Sequence, residues 1–148
     1  MAHRTLSTLL AAVALLLAAA APSLAALPRA LTQERPAFAV RPAQISYTGD
    51  GTGILGGRRS GGDRFGRIAW SAWTQRSAQG RGQVWLNDCR PDCAGGSFSP
   101  RPVRIVLSQP RAGKFRLLTI RYRYRGKPVL DRRSVEHHGR YWTYGIAR

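Results

Sequence analysis

The sequence predicts an all-β protein: a small single-domain antiparallel sandwich or partly open barrel of about seven short strands, following a cleaved signal peptide. Three observations predict it. Past residue 25, apolar residues recur with the period of two that a strand imposes, and no segment follows the 3.6 period of a helix. Sixteen glycines and nine prolines break the chain into pieces suited to strands and turns. Three of the four tryptophans and both cysteines fall within residues 68–96, which concentrates the large side chains in one hairpin and its exit loop.

Residues 1–25 read as an export signal. His3 and Arg4 precede an apolar run over 9–21, and Pro22-Ser23-Leu24-Ala25 offers the small residues at which a signal peptidase cuts, so cleavage is placed after Ala25. The run falls short of the roughly 18 to 20 apolar residues a membrane span needs. It carries no twin arginine and no cysteine, which directs the chain to the general secretory route and leaves the mature form without a lipid or integral membrane anchor. Localisation is therefore predicted as secreted or extracellular.

The mature chain, residues 26–148, holds 23 basic and 7 acidic residues, a net charge of +16. Such an imbalance on one modest domain favours polyanionic partners: a cell-wall polymer, non-specifically bound nucleic acid, or an anionic membrane surface. Arginine supplies nearly all of the positive charge, as a GC-rich genome would encode; codon usage does not account for the shortage of acids. Residues 26–42, with Pro28, Pro36 and Pro42 and no sustained period, read as an extended or disordered leader. The domain is predicted over residues 43–148, with a first strand at 43–48.

Residues 49–66 carry eight glycines and the pair Arg58 and Arg59, a loop able to wrap phosphates or simply a solvated one. Gly51-Thr52-Gly53-Ile54-Leu55-Gly56 matches a dinucleotide fingerprint by letter. The next six residues, Gly57-Arg58-Arg59-Ser60-Gly61-Gly62, cannot propagate the helix that holds a pyrophosphate, so no cofactor is expected.

The stretch 68–96 predicts a hairpin with Ile68, Trp70 and Ala72 on one face and Ala69, Ser71 and Trp73 on the other. A turn near Gln79 would set Trp73 across from Trp85 and Ala72 across from Leu86. Trp73 and Trp85 are then either buried under a loop or second sheet, or exposed as a platform for a sugar ring. Ile-x-Trp-x-x-Trp, Ala-x-Gly-x-Gly and Cys-x-Pro-x-Cys-Ala-x-Gly, followed by a Val-rich strand, resemble a group of small secreted actinobacterial proteins without assigned function, over residues 47–124. The resemblance implies a secreted β-rich domain and carries over no catalytic residue.

Cys89 and Cys93 are predicted to form a disulfide, as exported cysteines usually do. Because they span five residues, the bond pins its own loop, and the entropic gain is only about 2 kcal/mol. A metal site is not expected, since His137 and His138 are adjacent and neighbours on a strand point to opposite faces.

Residues 102–108 alternate Val103, Ile105 and Leu107 against Arg104, Val106 and Ser108. Residues 110–113 supply a turn, and 114–125 form the longest predicted strand. On it Leu118, Ile120, Tyr122 and Tyr124 share one face, and Arg121, Arg123 and Arg125 stand in a row on the other, about 6.7 Å apart at roughly 3.3 Å per residue. This row is the sharpest anion-binding candidate; the same pattern also keeps a half-buried strand soluble. Residues 129–136, a turn at 137–139 and a final strand bearing Trp142, Tyr144 and Ile146 complete the domain. The expected core is Trp70, Leu86, Val106, Leu118, Ile120 and Tyr122.

The function class favoured by these residues is a non-enzymatic cationic module that binds an anionic polymer through Arg121, Arg123, Arg125, Arg58 and Arg59. The competing classes are a carbohydrate-binding module using Trp73 and Trp85, an inhibitor of a secreted enzyme, and, weakest, a small hydrolase or nuclease around Glu136, His137 and His138.

Overall fold

The computed structural model describes residues 26–33 and 37–147. The export signal and its cleavage point after Ala25 lie outside the described residues. Among those described there is no helix, so none that could cross a membrane, and the fold is all-β as the alternation predicts. Ten strands form: β1 (Ala30–Leu31), β2 (Phe38–Ala39), β3 (Ile45–Ser46), β4 (Gly53–Gly56), β5 (Ala69–Trp73), β6 (Ala78–Asn87), β7 (Phe98–Arg111), β8 (Lys114–Tyr124), β9 (Lys127–His138) and β10 (Tyr141–Ile146). Eight of them make one antiparallel sheet in the order β10-β9-β8-β7-β6-β4-β3, with β5 also paired to β6, while β1 and β2 form a small second sheet. The large sheet curls into a half-barrel, the partly open alternative of the prediction. Its four central strands run to 10–14 residues, longer than the short strands expected.

Alternation decides which face is inside. Val103, Ile105 and Leu107 of β7 pair with Tyr122, Ile120 and Leu118 of β8, and with Gly82, Gly80 and Ala78 of β6. These positions form the concave face, where Ile105, Leu107, Leu118, Ile120 and Ala78 are at most 1 % exposed. Leu118 and Ile120 are thus core residues as expected, with Trp70, Leu86 and Tyr122 packed against the core half-buried. Val106 corrects the expectation. It lies on the opposite face from Ile105 and is exposed, because β7 turns its odd-numbered side chains inward.

The concavity is filled by the chain's own N-terminal segment. Ala30, Leu31, Ile45 and Tyr47 are almost wholly buried within it, and each large apolar side chain so placed contributes roughly 1.5–3 kcal/mol of burial. Buried polar groups pin the strap: the Trp73 indole donates to Pro28 O at 2.9 Å, the Trp70 indole to Pro42 O at 2.8 Å, and the Tyr144 hydroxyl to Leu31 O at 2.7 Å. Residues 28–33 and 37–42, read from their prolines as a leader outside the domain, are therefore extended but structural. The domain includes them rather than beginning at Ala43. A proline-rich strap needs no helix or ladder of its own when side chains elsewhere satisfy its carbonyls.

The tryptophan hairpin forms with a different register. The β5–β6 turn lies at 74–77, where the Thr74 side chain accepts from Ser77 N at 3.1 Å, so Trp73 faces Ala78 and Trp70 faces Gly80. A bulge at Ser71 breaks the strict alternation, which puts the Trp70 and Trp73 rings edge to face at 4.8 Å. Gly80 makes room for this: a Cβ there would stand 2.9 Å from the Trp70 ring. Trp85 pairs instead with Ile54 and Pro100.

Candidate functional site

The convex face of the sheet is built from the residues that alternate with the core. On β6 these are Gln79, Arg81, Gln83 and Trp85, on β7 Pro102, Arg104 and Val106, and on β8 Thr119, Arg121 and Arg123. Register sets three of them side by side: Arg81 faces Arg104 across the β6–β7 ladder, and Arg104 faces Arg121 across the β7–β8 ladder. Directly opposed positions hold their Cβ atoms about 4.5–5.5 Å apart, and like charges so placed repel. Among the described residues, no ion pair or side-chain hydrogen bond reaches any of the three guanidinium groups. All three are exposed, and with Arg101, Pro102 and Arg123 they line a groove of about 670 Å³.

The predicted row along β8 is only partly what forms. Arg121 and Arg123 project from the strand into the groove. Arg125 leaves the row: β8 ends at Tyr124, and Arg125-Gly126 make a two-residue turn with φ of 49° and 78°. The Arg125 guanidinium lies over the Tyr124 ring at 5.4 Å, with Arg101 also over that ring at 4.7 Å. The file that replaces the row runs across strands, not along one. Arg81 and Arg104 belong to it, and neither was singled out from the sequence.

Arg58 and Arg59 belong to the loop between β4 and β5, which folds over the convex end of β6. Trp85 anchors it by donating its indole N–H to Phe65 O at 3.0 Å and Gly57 O at 3.2 Å. Gly57 and Gly66 pinch the neck; Gly66 has φ of 63° and backs onto Arg58 O, where no side chain fits. Over this base the guanidiniums lie within cation–π distance of rings: Arg59 over Trp85 at 4.9 Å, and Arg64 over Phe65 and Phe98 at 5.2 and 5.1 Å. Arg58, Arg59, Gln83, Trp85 and Pro100 line a second depression of about 500 Å³. Gln83 and Pro102, paired across β6 and β7, separate it from the arginine file. An arginine held over a ring is partly fixed before an anion arrives, and so loses less conformational freedom on binding. Of the fingerprint-like glycines, Gly53 and Gly56 bound β4 and Gly51 lies in the bend before it with φ of 78°, and among the described residues no helix comes after the strand.

Trp73 and Trp85 are 7 % and 3 % exposed. Neither can present a ring to a sugar, which corrects the platform reading in favour of its burial alternative. Cys89 and Cys93 are disulfide-bonded. Their loop is held further by Asp88, whose Oδ1 accepts from Ser97 N at 2.9 Å and Arg90 N at 3.2 Å; these backbone donors hold its carboxyl below the usual carboxylate range.

His137 and His138 end β9, and the turn they were expected to make is Gly139-Arg140. On the convex face of β9, Ser134 Oγ donates to Glu136 Oε1 at 2.7 Å and His138 Nε2 lies 3.3 Å from Glu136 Oε2. The carboxylate is in the middle of this set. Activating a serine needs the imidazole between hydroxyl and carboxylate, so the arrangement is not a hydrolytic triad. His137 lies against Trp142, ring centroids 4.4 Å apart, on the other face. Among the described residues no group of three or more His, Cys, Asp or Glu is placed to hold a metal ion.

Compared with protein-family models, with curated proteins and with solved structures, the chain matches none.

Proposed function

We propose that this is an exported, non-enzymatic cationic module that holds an anionic polymer against the convex face of its sheet. The observation that carries the reading is the unpaired file Arg81, Arg104 and Arg121. Like charges opposed on neighbouring strands destabilise a sheet, and an anion laid across them turns that cost into binding. Arg123, Arg58 and Arg59 flank the file on the same side of β6. Export agrees with the disulfide, with the apolar N-terminal run and with the likeness to small secreted proteins.

The test is binding of the protein to anionic polymers and to a neutral glycan over a salt series, with product analysis of each mixture. The logarithm of the affinity for the charged polymers should fall linearly with the logarithm of salt concentration, as counterion release requires, and Arg104→Gln should weaken binding. Salt-insensitive glycan binding, or cleavage products, would overturn the reading. So would a one-to-one protein complex that Arg104→Gln leaves intact, the mark of an inhibitor.

A further inference from the structure

The loop pocket and the arginine file lie on one line. Arg81 and Trp85 are two pleats apart on the same side of β6, about 13 Å at roughly 3.3 Å per residue, and Arg59 sits on the Trp85 ring. The file extends the positive surface sideways over two strand spacings, about 10 Å. Asp131, the acidic residue of β9 nearest in register, pairs with Ile120 of the concave face and is bound by Arg133 at 2.8 Å, so it neutralises neither region. Two separated clusters with free donors facing one way suit a chain that touches both.

The rings and the spacing narrow the chemistry of that chain. Trp85, Phe65 and Phe98, the aromatic rings at this end of the face, already have guanidiniums over them, and Trp85 is 3 % exposed, so the bare ring faces on which single-strand binders stack successive bases are not offered here. Opposed arginines about 5 Å apart at Cβ are close enough to converge on one anion. A carboxylate has two coplanar oxygens and is matched by a single guanidinium fork. The oxygens around phosphorus diverge, so one group can accept from two arginines.

Resting on the cationic-module reading, we infer that the ligand is a base-free linear phosphate polymer. It runs lengthwise along β6 from the Arg81–Arg104–Arg121 file to the Arg58 and Arg59 pocket, and tight binding has a minimum chain length.

The probes are orthophosphate, tripolyphosphate, long-chain inorganic polyphosphate, poly-glutamate and single-stranded RNA of matched charge, titrated against the full mature chain. Long-chain polyphosphate should bind more tightly per phosphate than tripolyphosphate, and more tightly than poly-glutamate or RNA. Arg59→Gln should lower long-chain affinity about tenfold, the loss of one charge-assisted contact, and leave tripolyphosphate unchanged. Arg104→Gln should lower both, and Arg58→Gln should reproduce the pattern of Arg59→Gln without touching the stack on Trp85. If Arg59→Gln and Arg58→Gln both leave long-chain affinity unchanged while Arg104→Gln lowers it, the lengthwise track is wrong and the cationic module stands. RNA or poly-glutamate binding as tightly as polyphosphate overturns the choice of ligand. Absence of binding to every anion overturns both proposals.

Discussion

Arg104 sits between two like charges, so removing its charge should move stability and binding in opposite directions. It faces Arg81 on β6 and Arg121 on β7's other neighbour, β8, and has no ionic partner among the described residues. Cross-strand pairs are worth roughly 0.2–1 kcal/mol, and like charges directly opposite are unfavourable; two such pairs relieved by Arg104→Gln give a gain on the order of 1 kcal/mol. For a domain of this size that is a rise in Tm of about 3–6 °C. The gain must be electrostatic, so it should shrink between low salt and about 1 M, where the Debye length falls to about 3 Å. Arg104→Lys keeps the charge and should give no gain. The assay is thermal unfolding by circular dichroism at several salt concentrations, beside polyanion titration of the same samples. Polyanion should stabilise the parent protein more than the glutamine variant, because ligand bound only by the folded state adds to its stability. A glutamine variant less stable than the parent at low salt, or a lysine variant equally stabilised, would refute the idea that the file is a standing repulsion.

The strap and the disulfide loop have consequences of their own. Leu31→Ala should cost about 2–5 kcal/mol in denaturant unfolding, the usual penalty of a buried leucine deletion, whereas a residue of a detached leader would cost nothing; Leu31 is 1 % exposed. Tyr144→Phe leaves the buried Leu31 carbonyl without its donor and should cost about 1–3 kcal/mol, with the loss persisting in high salt. The Asp88 carboxyl, held below its ordinary range by the backbone N–H groups of Ser97 and Arg90, contributes stability above the unfolded pKa that is lost as pH falls through the folded one. Asp88→Asn should therefore lower stability at neutral pH, and the gap to the parent should close on acidification; a gap constant with pH would exclude the carboxylate as its source.

Much of the fold was legible because alternation is a local property. Val103, Ile105, Leu107, Leu118 and Ile120 announce a half-buried sheet without any knowledge of partners, and the structure buries all five. The strap was not legible, because its prolines and mixed polarity carry no period. What holds it, the indole and phenol donors of Trp73, Trp70 and Tyr144, lies 28 to 113 residues away. Trp70 and Trp73 misled for a smaller reason: one bulge at Ser71 changes the phase of a strand that alternation alone takes as unbroken.

The arginine file shows where local reading stops. Arg121 and Arg123 were visible as a stripe along one strand, whereas Arg81, Arg104 and Arg121 become neighbours only through register. Half of that register is set by a short turn: Ala112-Gly113, with φ of 49° and 67°, closes the β7–β8 hairpin, and Arg104 and Arg121 each stand eight residues from it. Once that turn is placed, their opposition is forced. Arg81 meets Arg104 across the loop that Cys89 and Cys93 tie off. There the number of residues consumed depends on the disulfide, on Asn87 donating its side-chain amide to Cys93 O at 2.8 Å and on Asp88 receiving Ser97, none of which a two-residue turn rule supplies. The loop that was expected only to pin itself therefore also sets which residue of β7 faces Arg81. Releasing it with Cys89→Ser and Cys93→Ser should weaken polyanion binding although no cysteine touches the convex face. Affinity unchanged in the double variant would mean that the β6–β7 ladder fixes its own register and that the loop is merely its closure.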